Sequence, residues 1–247
     1  MNIHTNTSIV ESHLFDKVFI PPCPDDSGLS LGAAAYLEWK KDNIVKKHVP
    51  YLNDWGVEEY SANYSTEDLQ QVALLIAEGK VIGICNGASE AGPRALGNRS
   101  LISLPTKALA YKVSVEYKQR EWYRPVAPVM LEKNARYFTG QNPVHPLTRY
   151  MLLDLKIPEE KQQEIPGVIH ANGTARIQTI FSKEDNPFMF DLLTLLDEQF
   201  NVKALINTSF NRRGEPIVHT EADALKAARE MDIDAVVLNG KVVLLHS

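Results

Sequence analysis

The chain has 247 residues, 44% of them hydrophobic and 23% charged, which is enough for one large domain with its own core. The composition excludes a disordered chain and a solenoid repeat, and a net charge of −5 argues against a broad surface for nucleic acid or anionic membrane. Because no apolar run reaches the length of a membrane span and no signal pattern opens the chain, we expect a cytoplasmic protein without a membrane partner. The two cysteines, Cys23 and Cys85, are too few for a disulfide framework and are expected to be reduced.

The first third of the chain contains two helix signals. Residues 17–20 predict a short strand, and the small-residue segment 29–41 predicts a helix that approaches a partner surface closely. Residues 40–63 have no period and predict a linker. Ser65 is the predicted N-cap of a helix over 67–78, whose apolar residues fall on one face.

The rest of the chain mixes strands and helices in an irregular order. The patterns predict strands at 81–85 and 101–105, a helix at 105–117, strands at 149–157 and 175–180, a helix opened by Asn186 and Pro187, a strand at 203–207, a helix capped by Thr220, and a hairpin around Asn239-Gly240. This order predicts a mixed α/β fold with antiparallel strand pairs.

Three segments concentrate basic and amide side chains between glycines and prolines, at 92–100, 118–125 and 207–216. Such side chains, together with backbone N–H groups at a strand end, bind the oxygens of phosphate. Each segment taken alone is equally compatible with solvated charges or turn formers, and neither a Walker nor a GxGxxG pattern is present. The residues by themselves indicate a phosphate-binding α/β domain.

Four segments resemble, in this order, the C-terminal region of the ATP-dependent O-carbamoyltransferases of antibiotic and nodulation-factor synthesis: VIGICNGASEAGPRALGNRSLISLP, KQREWYRPVAPVMLEKNARYF, IHANGTARIQTI and ALINTSFNRRGEPIVHT. The resemblance covers residues 80–240. It implies a YrdC-like fold, similar to threonylcarbamoyl-adenylate synthases, over residues 49–247. It also implies that carbamoyl phosphate and ATP, with Mg²⁺, are converted to a carbamoyl-adenylate in natural-product tailoring.

The resemblance also implies roles for individual residues. The synthases hold their adenylate with a Lys-x-Arg pair and a Ser-x-Asn pair, which match Lys118 with Arg120 and Ser209 with Asn211. Catalytic contacts are expected from Lys118, Arg120 and Arg124. Nucleotide and carbamoyl contacts are expected from Arg94, Arg99, Ser100, His170, Arg176, Asn207, Ser209 and Asn211.

The segment KVFIPPCPDDSGLSLGAAAY resembles the end of the family's actin-like transferase domain, which predicts a remnant of that domain over residues 1–48. In the family, a carboxylate matching Asp26 ligates a metal, iron or zinc, together with two histidines. His4 and His13 do not have the spacing of such a pair, so the resemblance implies that Asp26 binds metal only with a partner chain.

Two departures from the family pattern bear on activity: Ala88 stands where an arginine is usual, and Asn172 where an aspartate is usual. Three readings remain open, namely one chain of a split enzyme, a degenerate nucleotide-binding or regulatory homologue, and an RNA-binding module. The acidic net charge argues against the last. The split enzyme is favoured because an apolar strand and a small-residue helix are costly to leave exposed.

Overall fold

A computed structural model describes residues 2–44, 50–53 and 64–246 of the chain. Within them the α-helices are α1 (Ile3–Glu11), α2 (Leu29–Asp42), α3 (Thr66–Ala77), α4 (Lys107–Tyr111), α5 (Glu132–Thr139), α6 (Glu159–Gln162), α7 (Pro187–Phe200) and α8 (Glu221–Met231). The strands are β1 (Tyr51–Asn53), β2 (Ile82–Cys85), β3 (Ser89–Glu90), β4 (Arg99–Ser103), β5 (Ala127–Leu131), β6 (Leu155–Lys156), β7 (Thr174–Ala175), β8 (Gln178–Ile180), β9 (Leu205–Ser209), β10 (Ala235–Leu238) and β11 (Lys241–Leu244).

The main sheet has seven strands in the order β11-β10-β2-β4-β9-β5-β8. The pairs β10–β2 and β5–β8 are parallel, and the other four neighbours are antiparallel. Two small antiparallel ladders, β1–β3 and β6–β7, lie outside this sheet. The mixed α/β class predicted from the sequence is confirmed.

Both faces of the sheet are covered, which is why the residues of its inner strands are buried continuously rather than alternately. On one face α3 and α7 pack together, and Val72, Ile76, Leu192 and Leu196 are fully buried there. On the other face α8 covers one half of the sheet, while α5 and the chain around residues 144–168 cover the other half. The fold therefore has three layers with the sheet in the middle.

The predicted turn and cap residues are confirmed. The Ser65 hydroxyl accepts the N–H of Asp68 at the start of α3, and the Asn186 side chain accepts the N–H of Met189 at the start of α7, each at 3.0 Å. Thr220 and Asp223 form a reciprocal capping box at α8. The predicted Asn239-Gly240 turn connects β10 to β11.

Several sequence predictions are wrong in type or extent. Residues 17–20 form no strand; Val18 and Ile20 pack on the core as irregular chain. The predicted strand 149–157 begins inside a 3₁₀ turn (Pro146–Tyr150) and is reduced to β6, and the predicted strand 175–180 is broken between β7 and β8 at Arg176. The helix 105–117 is α4 followed by a π-helical turn (Lys112–Tyr117). In each case tertiary packing overrides a local preference that is weak over so short a segment.

The N-terminal segment differs from the body of the fold, because neither α1 nor α2 contains a buried residue. Large apolar side chains are exposed along it, with Leu14 79% and Phe19 85% exposed. No helix in the described ranges combines the length and the apolarity needed to cross a bilayer. The predicted domain boundary at 48/49 and most of the predicted linker 40–63 lie outside the described residues.

Candidate functional site

Four segments with the predicted site residues meet at one end of the main sheet. Since β4 and β5 are antiparallel to β9, and β8 is parallel to β5, the strands β4, β5 and β8 begin at the end where β9 finishes. The residues before β4, β5 and β8 and those after β9 carry the basic and amide side chains. The three segments picked out in the sequence are therefore brought together by the topology of the sheet.

Lys118 links the two predicted pairs. It is 1% exposed, and its Nζ donates to Ser209 Oγ at 3.1 Å, to Asn211 Oδ1 at 2.7 Å, to the Asn211 carbonyl at 2.8 Å and to the Ser209 carbonyl. Arg120 lies beside it, with Nη2 3.4 Å from Ser209 Oγ. Burial, and then the charge of Arg120, lower the pKa of Lys118 to about 6. The Lys-x-Arg and Ser-x-Asn residues thus form one contiguous cluster.

The backbone explains how Lys118 reaches this position. Lys118 is the cap residue that follows the π-helical turn, and its N–H donates to the carbonyl of Val113, five residues earlier, at 3.2 Å. Gln119 then adopts a left-handed conformation with φ of 49°, which is uncommon outside glycine. Single π-turns of this kind are frequent at functional sites because they rotate the following side chains out of helical register.

Three partly buried arginines, Arg94, Arg120 and Arg176, form a cation cluster with one another. Burial, and then the charges of Arg94 and Arg120, lower the pKa of Arg176 to about 10. The Nε atoms of Arg94 and Arg176 are buried without a hydrogen-bond partner in the described part of the chain. Like charges that are held together and left with unused donors indicate a site for an anion.

Arg124 lies at the outer edge of the cluster. It is exposed, and its Nε lies 3.0 Å from Oε2 of Glu121. A small cavity of about 190 Å³ opens beside it, lined by Arg120, Glu121, Arg124, Asn211, Arg212, Arg213 and Gly214. A ligand that fills this cavity would lie against Arg124, so the contact predicted for Arg124 stays a prediction.

Three other predicted ligands lie beneath the cluster and bond to protein. The Arg99 guanidinium is fully buried and donates to the carbonyls of Asn86, Gly87, Asn98 and His219 at 2.8 to 3.0 Å. Ser100 Oγ accepts the N–H of Gly97 at 3.0 Å. Asn207 donates to Gln178 Oε1 and to the carbonyl of Ala95. These contacts favour a supporting role for Arg99, Ser100 and Asn207, in contrast to the expected direct contacts.

The loop that carries Arg94 is held by residues that the sequence analysis did not select. One oxygen of the buried Glu90 carboxylate accepts the N–H groups of Leu96, Asn98 and Arg99 at 2.7, 2.8 and 3.2 Å. Gln178 donates to the carbonyl of Leu96 at 2.8 Å. A carboxylate just before a glycine- and proline-containing loop was the available signal for Glu90, whereas Gln178 had none.

His170 lies in the same region, within electrostatic range of Arg176. Its Nδ1 is 3.0 Å from Thr174 Oγ1 and 3.1 Å from Asp154 Oδ1. Burial lowers the pKa of His170, while the Asp154 charge opposes the shift. Asn172, one of the two departures, accepts the Thr174 hydroxyl at 2.7 Å, and Ala88, the other, contributes only its carbonyl, to the Asn98 side chain.

The predicted metal ligand Asp26 is exposed and begins a 3₁₀ turn (Asp26–Gly28). Across residues 2–44, 50–53 and 64–246, no group of three histidine, cysteine or acidic side chains is arranged to hold a metal ion. The described residues therefore do not by themselves fit an iron or zinc site. Cys23 and Cys85 are both buried free thiols.

Comparison with known proteins gives a consistent picture. Residues 73–244 match the family model described as "Carbamoyltransferase C-terminus". The nodulation protein NolO of Bradyrhizobium diazoefficiens is 33% identical over 96% of this chain and 46% of its own length. The uncharacterized protein MJ1051 of Methanocaldococcus jannaschii is 32% identical over 98% of this chain and 48% of its own length. The chain thus spans less than half the length of these two relatives.

Among solved structures, the chain is similar to full-length HypF in its phosphate- and nucleotide-bound form. The TM-score is 0.51 with 18% sequence identity, over 83% of this chain and 35% of that chain. At this identity the similarity concerns the fold alone.

Proposed function

The chain belongs to the carbamoyltransferase family, whose C-terminal region it matches over residues 73–244, and we propose that it forms a carbamoyl-adenylate from carbamoyl phosphate and ATP. The cation cluster of Arg94, Arg120 and Arg176 supports this proposal most directly, because its unused donors suit phosphate oxygens. The HypF structure with a similar fold contains phosphate and nucleotide, which is consistent with such ligands here. We propose further that the region from residue 49 on is YrdC-like and that the first 48 residues derive from an actin-like domain.

The reaction needs several fixed positive charges. Water first releases carbamate and phosphate from carbamoyl phosphate. A carbamate oxygen then attacks the α-phosphorus of ATP, the bond from that phosphorus to the bridging oxygen breaks, and its electron pair leaves with pyrophosphate. Both reactants are anions, so Arg120 and Arg176 offset their repulsion and stabilise the charge that develops. The negative charge that the reactants bring also favours the protonated form of Lys118 beside them. Mg²⁺, when bound with ATP, neutralises the departing pyrophosphate.

Ser209 and Asn211 are proposed to hold the adenylate together with the Lys118 side chain that already contacts both. Arg124 is proposed to contact phosphate oxygens from the edge of the cluster, and His170 the carbamoyl phosphate. Arg99, Ser100 and Asn207 then act by shaping the loops that carry these groups, as their bonds to carbonyls and N–H groups suggest.

Transfer to an acceptor is proposed to need a partner chain. An iron or zinc ion would then be shared between Asp26 and two histidines of the partner, because one carboxylate cannot hold a divalent ion well. We place the reaction in the cytoplasm, where ATP is available. If the isolated chain carries stoichiometric iron or zinc, or carbamoylates an alcohol unaided, the partner proposal is wrong.

Calorimetry and pyrophosphate release test the adenylation proposal on the full chain. We expect ATP with Mg²⁺ to bind, and carbamoyl phosphate to trigger pyrophosphate release. Arg120→Ala should lower that release by about 10²–10³ because it removes a fixed donor in the transition state. Arg136→Ala is the matched control, since Arg136 is partly exposed on α5 and pairs with Glu132.

No ATP binding at millimolar concentration would exclude the proposed function. ATP binding without pyrophosphate release would instead favour the degenerate nucleotide-binding homologue.

A further inference from the structure

Asp154 is a buried carboxylate just before β6, and its side chain is 4% exposed. One oxygen lies 3.1 Å from Nδ1 of His170, and the other lies 3.2 Å from Nδ1 of His4 in α1. The two histidines differ in exposure: the His4 side chain is 76% exposed, whereas that of His170 is 19% exposed. A buried charge of this kind is stable only with such partners.

A hydrogen bond to Thr174 and the Asp154 carboxylate together favour a proton on Nδ1 of His170. Thr174 Oγ1 lies 2.7 Å from Asn172 Oδ1, an oxygen that only accepts, so the hydroxyl proton points to Asn172. Thr174 Oγ1 must then accept from His170 Nδ1, which lies 3.0 Å away. The Asp154 carboxylate, at 3.1 Å from the same nitrogen, also favours a proton there.

The opposite nitrogen of the ring, Nε2, has no hydrogen-bonding partner in the described part of the chain. His170 is meanwhile surrounded by effects that disfavour its charge, because burial and the nearby Arg176 both lower its pKa and Asp154 opposes them. The neutral ring is therefore favoured beside the cation cluster, and Asp154 holds its single proton on Nδ1, so that Nε2 carries a lone pair.

We propose that Asp154 is a positioning residue that holds His170 with its proton on Nδ1 and so leaves the Nε2 lone pair to accept the hydroxyl proton of a phosphate group bound by Arg176. This inference rests on the proposed function, since it assigns His170 to the same anion site. It extends that function by naming a carboxylate that contacts no ligand itself and acts through the imidazole. His4 shares the carboxylate but lies at the surface, so it contributes little to the site.

The test measures the affinity of the full chain for inorganic phosphate by calorimetry, with thermal unfolding alongside. Asp154→Asn keeps the shape and removes the charge, and it should weaken phosphate binding by about tenfold, the scale of a lost supporting partner. His170→Ala should weaken it at least as much. The double variant should bind no more weakly than His170→Ala alone, because the two residues act as one unit. His4→Ala is the matched control and should leave the affinity unchanged.

A spectroscopic measurement separates positioning from a purely structural role. The nitrogen chemical shifts of ¹⁵N-labelled His170 should show the proton on Nδ1 in the wild type and a mixed population in Asp154→Ala. If Asp154→Asn does not fold, Thr174→Val tests the same arrangement, since it removes the hydroxyl between Asn172 and His170 and should also weaken phosphate binding.

The inference is overturned if the effects of Asp154→Asn and His170→Ala add, if His4→Ala weakens binding equally, or if the wild type has its proton on Nε2. Failure of the proposed function is distinguishable: wild-type protein would then bind neither phosphate nor ATP, and the inference would fall with it. If Arg120→Ala abolishes binding while His170→Ala does not change it, the anion site stands and the role of Asp154 is wrong.

Discussion

Arg94, in the loop before β4, and Arg99, the first residue of β4, are five residues apart, yet their hydrogen-bonding surroundings differ. Arg99 is fully buried and its guanidinium is bonded to four carbonyls, whereas the Nε of Arg94 is buried without a partner in the described residues, beside two other arginines. A guanidinium whose donors are used by the protein stabilises the loop. One whose donors are unused, among like charges, is held ready for a ligand. The same motif therefore contains a structural arginine and an arginine that we propose binds the anion.

The largest expected effect is the loss of stability on replacing Arg99. Arg99→Met should lower the free energy of unfolding by about 3–5 kcal/mol, because four carbonyls, two of them in fully buried contacts, lose the guanidinium as a donor. Chemical denaturation measures the change. Arg229→Met, at an exposed position in the last turn of α8, should change it by less than about 0.5 kcal/mol. A small effect of Arg99→Met would remove the distinction between the two arginines.

Replacing an arginine of the cation cluster should instead weaken phosphate binding and leave stability unchanged. Arg176→Met removes one of three mutually repelling charges, so we expect the free energy of unfolding to stay constant or rise slightly. Phosphate affinity should nevertheless fall by about tenfold or more, since a charge-assisted hydrogen bond is lost. Denaturation and calorimetry on one preparation measure both. A large loss of stability would mean that Arg176, like Arg99, has a structural role.

A further effect is expected on the pH dependence of stability, through Lys118. Burial lowers its pKa to about 6 in the folded chain, against about 10.4 in an unfolded one. Between these values the unfolded chain holds a proton that the folded chain lacks, so this group makes the free energy of unfolding rise with pH. Denaturation at pH 6.5 and pH 9 should therefore show a steeper rise in wild type than in Lys118→Met. Equal slopes would mean that the four oxygens around Nζ keep the ammonium form.

Sequence reasoning predicted most of the fold where a residue has a local function. Ser65, Asn186 and Thr220 cap their helices because a side-chain oxygen replaces a missing backbone partner, which depends on few neighbours. It missed β5, an inner strand, because Pro128 is the second residue of this strand and proline argues against an inner strand. Here the ladder forms around the proline.

The candidate site was predictable as a set of segments but not as a set of roles. The resemblance selected Lys118, Arg120, Ser209 and Asn211, and the structure brings them together. It could not separate Arg99 from Arg94, because their difference arises from carbonyls of Asn86, Gly87 and His219 that only the folded chain brings within reach. Asp154 was missed for the same reason, since the role of a single carboxylate depends on the neighbours that only the fold provides.

The π-helical turn before Lys118 gives the position of this lysine an unusual origin. The turn contains one more residue than an α-helical turn would, as the bond from Lys118 to Val113 shows. Each residue advances an α-helix by about 100°. Deleting any one of residues 112–117 would therefore swing Lys118 away from Ser209 and Asn211 while leaving every side chain of the cluster in the sequence. The position of Lys118 therefore depends on the length of the segment 112–117. In a related sequence, the loss of one residue from this segment would disturb the site as a replacement of the lysine would.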